Sequence, residues 1–505
     1  MKKIPFNGKI LVLGCGGVAR CTLPLLLKHL DMPRERITIL DMTDCREGVK
    51  DILAEGVRYV QERIVIERYR QQLSEYVGAG DMIIDLAWNI DCCDLLDWCH
   101  EQDVLYVNTS VELWDPYTNA DQKKPTEKTL YVRHMAIRNM VAGWKKKFGA
   151  TAILEHGANP GLVSHFTKMA LADIAQKVLS EKPMDPGRTA LESALREESF
   201  PRLAQLLNVN VIHISEIDTQ TTSDRHNPHE FRNTWSVEGF REEGIAPAEL
   251  GWGTHERTLP AGACEHEQGP KNQICINQFG IDTYVRSRVP SAEITGMIVR
   301  HGEAFTMSDA LTVWENGTAV YRPTVHYAYC PCKDAWKSLE SMRVHNYQLQ
   351  DKWKILSDEI ISGHDELGVL LMGHPYKSWW TGTILDINEA RSLVPHQNAT
   401  TLQVAASVLA AVCWMIEHPR EGVLVPDQLP YKEILAIAAP YLGQIPSVPL
   451  DWTPTGTKNP TADTWQFGNF LLKGEKLHLR AMRIFSVPGK KKAAVKVVGQ
   501  NEQTK

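Results

Sequence analysis

Gly14, Gly16 and Ala19 stand in the order Gly-x-Gly-x-x-Ala, with Gly17 and Val18 in the last gap. This spacing suits a turn wrapped around an anion. Gly14 permits a tight turn, Gly16 lets the backbone approach a pyrophosphate lodged at a helix N-terminus, and Ala19 allows close helix–strand packing. Alone the pattern is weakly specific. Here it follows an apolar run at 9–13 and opens a helical run at about 17–30, the context it requires. Asp41 ends the next β-branched run, at 36–40, where a carboxylate can accept hydrogen bonds from adenosine ribose hydroxyls. It would repel a 2′-phosphate, so NAD is expected over NADP, with Arg46 nearby as the one residue arguing the other way. Ala87 and the run Asn108-Thr109-Ser110 follow two further apolar stretches. Ligands sit beyond the carboxyl ends of parallel strands, so these residues are expected on the nicotinamide side. Ordinary strand-end turns look the same.

A second group of residues suits cations. Glu216 and Asp218 lie two apart in an extended run and would face one side of a strand. Trp235 can offer an aromatic face, and Glu238, Glu242 and Glu243 follow it closely. Acids and an indole face hold ammonium groups, and an acid can also take a proton from a reacting amine. Each residue has a plainer reading. Trp235 is one of 14 tryptophans and could be core, and the glutamates could be a solvated face. Asn159 before Pro160 could start a turn, and His301 before Gly302 could be a turn histidine. His226 with His229, and Cys330 with Cys332, lack the further ligands of a zinc site, so no metal is expected. Neither a P-loop nor a Gly-x-Ser-x-Gly elbow is present.

The elements that must position these groups fall into two patterns. Up to about residue 150, strand and helix alternate, with strands at 81–87, 104–107 and 152–154 and a helix at 91–100, as in a Rossmann-type doubly wound parallel sheet. After about 205, strand patterns at 209–217, 273–276, 294–299, 319–321 and 369–372 predict a second α+β domain with a mostly antiparallel sheet. Helical patterns return at 401–417 and 431–441. The expected organisation is an α/β chain with a nucleotide domain at 1–150, completed by about 395–445. A substrate domain follows at 151–394, then a C-terminal segment at 446–505 with a Lys-rich surface tail from 489.

With 505 residues, two large domains are natural. A net charge of −6 argues against a nucleic-acid surface and leaves room for a cationic substrate. Eleven cysteines without framework spacing suggest reduced thiols and a cytoplasmic setting. The start lacks the pattern of a signal peptide, and the run at 402–416 falls short of the ~20 residues of a membrane span, so no membrane partner is expected.

The glycine turn, Asn-Thr-Ser-Val-Glu at 108–112 and Gly-Ala-Asn-Pro-Gly at 157–161 together resemble the saccharopine dehydrogenase-like group. Ser-Glu-Ile-Asp-Thr-Gln at 215–220, Asn-Thr-Trp-Ser at 233–236, and the stretch from Gly296 through His-Gly-Glu at 301–303 resemble the bacterial homospermidine synthases within it, along nearly the whole chain. The resemblance implies a closed redox cycle. NAD takes hydride from an amine-bearing carbon of putrescine, the imine exchanges ammonia for a second diamine, and the same NADH reduces the new imine to homospermidine. Spermidine can also serve as donor. By the same resemblance, Glu216 and Glu243 hold ammonium groups or move protons, and Trp235 stabilises the cationic intermediate. Asn159 orients a substrate amine or the nicotinamide amide, and His301 positions substrate or cofactor. A homodimer is also implied. Two alternatives stand beside this one. A reductase of the saccharopine or carboxynorspermidine type would want an Arg clamp, for which Arg225 and Arg232 are present. A non-catalytic NAD-sensing protein would turn over no amine.

Overall fold

The computed structural model describes residues 3–146, 149–181, 187–225 and 227–474. The Lys-rich stretch from 489, and His226, lie outside the described residues. Six short strands build the nucleotide sheet: β1 (Ile10–Leu13), β2 (Ile37–Asp41), β3 (Arg58–Gln61), β4 (Met82–Asp85), β5 (Leu105–Asn108) and β6 (Ala152–Ile153). They run parallel in the order β3-β2-β1-β4-β5-β6. All four residues of β1 are buried because both faces are covered. Ile10 and Val12 join the core that contains helix α1 (Gly17–His29), while Leu11 and Leu13 join the one containing α2 (Cys92–Gln102). Asp91 caps α2 by accepting from the amides of Cys93 and Asp94. Strand β3 is only half-buried and polar at both ends, which hides it from a hydrophobic pattern search.

Helices α3 (Leu130–Gly143) and α4 (Leu162–Glu181) lead into the second half. There a ten-stranded sheet forms. Its strands are β7 (Val211–Asp218), β8 (Pro247–Gly251), β9 (Ala263–Glu265), β10 (Gln273–Phe279), β11 (Tyr284–Arg288), β12 (Glu293–Met297), β13 (Thr324–Cys330), β14 (His364–Met372), β15 (Ser378–Asp386) and β16 (Ser447–Leu450). The order is β9-β10-β8-β13-β7-β14-β15-β16, with the hairpin β11–β12 attached through β12 to β13. Its central pair, β7 and β13, is parallel and its other pairings are antiparallel. Helices beside this sheet include α5 (Val237–Gly244), whose N-cap Ser236 accepts from Gly239, and α6 (Glu303–Ala310). The strand pattern at 319–321 does not enter this sheet: Thr318–Tyr321 pairs only with Val313–Glu315 in a separate hairpin.

Helix α7 (Ala399–Glu417) is long and apolar enough to cross a membrane, yet 89% of its most apolar window is buried in the protein. It packs along α1, and beside α7 lies α8 (Tyr431–Ala438). The alanines 405, 406, 410 and 411 are fully buried. Between α7 and α8, Val423–Leu424 adds a parallel seventh strand beside β6. His29 bonds Tyr441 at 2.7 Å, fixing the end of α1 to this late segment.

The turn after β1 separates two kinds of glycine. Gly14 has φ +87°, and a Cβ there would lie 2.8 Å from the Leu86 carbonyl oxygen, whereas a Cβ on Gly16 meets nothing within 4 Å. Gly14→Ala is therefore expected to lower the stability of the chain by ~1–3 kcal/mol. Gly16→Ala should change it by less than ~0.5 kcal/mol. Urea unfolding of the two variants checks this, and equal losses would contradict it.

Candidate active site

The glycine turn is prepared for an anion. Gly16 caps α1 without a side-chain bond, and no acid sits in the first turn, so the amides there keep their donors free of internal competition. Val18 follows, half-buried, and Ala19 is buried against the core. Asp41 stands at the rim. One of its oxygens accepts from the Cys15 amide at 2.7 Å, and the other from the Thr43 amide and hydroxyl at 2.8 and 2.7 Å. A carboxylate has lone pairs left for a ribose. Arg46 is committed elsewhere: it pairs with Asp44 at 3.1 Å and lies over the Tyr59 ring at 5.4 Å. These features fit a dinucleotide without a 2′-phosphate.

The strand ends behave differently from one another. Ala87 is half-buried, its amide bonded to Asp85 at 3.2 Å. Thr109 is half-buried beside Gly157. The Ser110 hydroxyl donates to Glu112 at 2.8 Å. Asn108, expected on the cofactor, is turned inward. It is 1% exposed, its amide nitrogen reaches Tyr106 and Cys92, and its oxygen accepts from the Glu155 amide at 2.7 Å. It holds neighbouring strand ends together, which is the reason a polar side chain can end a buried strand there.

Asn159 rises from a tight loop. The Gly157 amide bonds the Pro160 carbonyl at 2.8 Å, and Gly161 has φ +133° with no room for a side chain against Gly157. From that loop the Asn159 amide donates to Glu216 at 3.1 Å. The Tyr327 hydroxyl donates to the same carboxyl oxygen. Glu216 and Asp218 share one face of β7. Register places Tyr329 of β13 opposite Glu216, and Asp365 of β14 opposite Asp218. Thr234 donates to Asp218 at 2.6 Å and Thr400 to Asp365 at 2.6 Å. Among the described residues, neither Glu216, Asp218 nor Asp365 forms a salt bridge. Burial pushes Glu216 up to about 8 against its hydrogen-bond donors, with Asp218 adding to the rise. Burial likewise takes Asp218 to about 6, and lifts Asp365 well above the usual carboxyl range with help from Glu216 and Asp218.

Trp235 closes one side of this face. Its indole N–H donates to the Tyr329 hydroxyl at 2.9 Å, and Phe240 lies 5.1 Å away, centroid to centroid. The following glutamates part company. Glu242 accepts from Arg133 at 2.6 Å and Arg300 at 2.5 Å, and although burial opposes it, the two guanidiniums hold its carboxyl below the ordinary range. Glu243 has no such partner. Its Oε2 lies 3.7 Å from the His301 Nε2, and burial lifts its carboxyl well above the usual range. Glu238 is half-buried on the same helix. The His301 ring meets Tyr327 edge-on at 4.4 Å, and burial drives it down to about 3, so it is a neutral imidazole at pH 7. Glu303, one residue beyond Gly302, is 1% exposed with neither carboxyl oxygen bonded. Ser110, Glu112, Arg133, Glu243, Arg300 and His301 help to line a cavity of ≈ 20 Å³.

The structure thus brings Asn159, Glu216, Trp235, Glu243 and His301 to one region around Tyr327 and Tyr329. Tyr327, Tyr329, Asp365 and Glu303 are additions that sequence reasoning did not single out. Their signal was the Tyr-x-Tyr alternation in β13, the acids Asp365 and Glu366 opening the apolar run of β14, and the acid of the His-Gly-Glu motif itself.

Comparisons with known proteins identify the family. The saccharopine dehydrogenase NADP binding domain matches residues 10–153, and the saccharopine dehydrogenase C-terminal domain matches 157–448. A homospermidine synthase from Blastochloris viridis is 40% identical, covering 92% of this chain and 98% of that protein. Another, from Mesorhizobium japonicum, is 37% identical, covering 92% and 97%. The crystal structure of the homospermidine synthase from Legionella pneumophila in complex with NAD has a TM-score of 0.82 at 33% identity, covering 94% of this chain and 100% of that one. With relatives this similar over nearly their whole length, and with a saccharopine dehydrogenase fold in both halves, the chain belongs to the homospermidine synthase family.

Proposed function

We propose that this chain joins two diamines, putrescine with putrescine or with spermidine as donor, into homospermidine, with NAD as a recycled prosthetic group. The observation that carries this reading is a set of acids without a Lys or Arg salt bridge among the described residues: the buried Glu216, Asp218, Asp365 and Glu303, and the half-buried Glu243. Burying a carboxylate alone is strongly unfavourable, so burial raises all of these carboxyls, and Glu216, at about 8, stays protonated at pH 7 until a cation arrives. A diamine brings two. Gly14, Gly16, Gly17 and Asp41 would hold the dinucleotide, which when bound supplies an acceptor and later a donor of hydride.

The chain's own residues then divide the remaining work. Glu216, with its carboxyl poised near neutrality, takes the proton that a reacting amine must lose. Asn159 and Tyr327 hold that carboxyl in place. Glu243 and the neutral His301 bind the second amine. Trp235 offers its ring to the cationic imine and keeps water from it, since water would release an aldehyde. A reductase acting on amino-acid carboxylates would need a guanidinium in the pocket, but Arg133 and Arg300 are spent on Glu242 and Arg232 on Glu230. A cytoplasmic homodimer completes the reading; light scattering of the purified protein tests the dimer.

Purified protein given putrescine should form homospermidine with sub-stoichiometric NAD and without NADH accumulating; steady NADH build-up would point to a reductase instead. Trp235→Ala is expected to lose several-fold to about thirty-fold of the rate from electrostatics alone, at ~0.5–2 kcal/mol for a desolvated cation–π contact. Trp235→Phe should retain part of the activity, with NAD binding unchanged in both. A wild-type rate in Trp235→Ala would return that residue to the core.

Glu216 also sets a pH dependence. Between its ordinary 4.5 and its folded value of about 8, the folded chain keeps a proton that the unfolded chain has released. Stability of the substrate-free protein therefore falls as pH rises through that window. Glu216→Gln should flatten the fall in Tm across it and abolish polyamine binding. An unchanged slope would mean that the carboxyl is already ionised.

A further inference from the structure

We propose that Ile355 and the methyl group of Thr401 form an apolar clasp over the dinucleotide turn, that it retains the cofactor between the two hydride transfers, and that Asn398 sets its position. This rests on the NAD reading above and goes beyond it by naming what keeps the cofactor from leaving.

The geometry starts at the turn itself. A side-chain carbon on Gly16 would face open space, where a pyrophosphate can lie. One residue on, a carbon at Gly17 would lie 3.4 Å from the Thr401 Cγ2 and 3.5 Å from the Ile355 Cγ2. Next to that open position, Gly17 is thus covered by two aliphatic groups from distant parts of the chain. The Thr401 hydroxyl points elsewhere, bonding the Asn398 carbonyl and side chain at 3.2 and 3.1 Å, which leaves its methyl for the turn.

Ile355 is placed by a short parallel pairing of Lys352–Ile355 with Glu230–Asn233, the strand that leads into Trp235. Asn398 then ties the pieces together. It caps α7 by accepting from the Thr401 amide at 2.7 Å. Its amide nitrogen donates to the carbonyls of Thr234 at 2.7 Å and Leu356 at 2.6 Å. It is 1% exposed, so these bonds are shielded from competing water. One side chain therefore holds the segment before Trp235, the segment after Ile355 and the helix carrying Thr401.

The chemistry explains why such a wall is useful. A cofactor that gives back its hydride in the same turnover must not exchange with the pool in between. Aliphatic groups beside the pyrophosphate exclude water, which strengthens the amide–phosphate hydrogen bonds at the helix N-terminus. Dissociation must then open the clasp, so the effect falls on the off-rate.

The test reads cofactor retention in the full chain. Bound NAD per chain is measured after purification, and its release is timed by exchange against isotopically labelled NAD. Ile355→Ala should release NAD on the order of tenfold faster, the scale of one lost apolar contact. Ile355→Val should stay near wild type, and the Ala variant should recover activity at saturating NAD with its putrescine KM unchanged. Asn398→Asp, which keeps the cap but loses both donors, should also speed release. Equal off-rates in wild type and Ile355→Ala, with Ile355→Val equal too, would overturn the clasp while leaving the NAD reading intact. A wild type that binds no NAD at all would overturn that reading instead. If Ile355→Ala fails to fold, Ile355→Thr decides by the same exchange rates: faster release supports the clasp, and the wild-type rate overturns it.

Discussion

Carboxyl groups buried without a protein cation are the constraint around which this molecule is arranged. The chain knows how to neutralise an acid: Glu242 has two guanidiniums within 2.6 Å. One position later, Glu243 has no guanidinium within salt-bridge distance and a neutral imidazole at 3.7 Å. Glu216, Asp218 and Asp365 receive hydroxyl and amide donors but, among the described residues, no salt bridge. Such an arrangement is unfavourable in the empty protein and becomes favourable only when something positive fills it. Burial therefore biases these binding groups toward their neutral forms, Glu216, Asp365 and Glu243 further than Asp218, and the rest of the structure keeps them dry and in register.

Keeping them so needs rigid support from both halves. The central strands β7, β13 and β14 put the acids and the two tyrosines on one face by register alone. Helix α7 reaches that face at its N-terminus through Thr400 and lies along α1 for its length. The strand Val423–Leu424 closes the nucleotide sheet with residues from far downstream. Neither half is thus finished without the late helices, and the glycine turn and acid face are held at one distance by the same element.

What could be read from the sequence follows the range of the interactions. The glycine turn, Asp41 and the first strands were legible because strand, turn and helix are neighbours in the chain. The antiparallel character of the second sheet was legible from strand patterns that follow one another with few helical stretches between, but β8, β13 and β15 were not separated out, since their pairing is set by partners far away. Asp365 and Tyr327 gain meaning only from register with β7, which no local pattern encodes. Asn108 misled for a related reason. A polar residue at a strand end can face a ligand or tie strands together, and here it ties them. Of the three glutamates after Trp235, only the positions of Arg133 and Arg300 decide that Glu242 is structural and Glu243 is free to act.

The central claim, that Glu216 is neutral until a cation binds, can be measured directly. The protein loaded with NADH, which cannot accept hydride, is titrated with putrescine by calorimetry at pH 7 in buffers of different ionisation enthalpy. The account requires release of about one proton or more per diamine bound. Binding with no proton exchanged between buffers would mean that the acids are already charged in the empty site, and would contradict it.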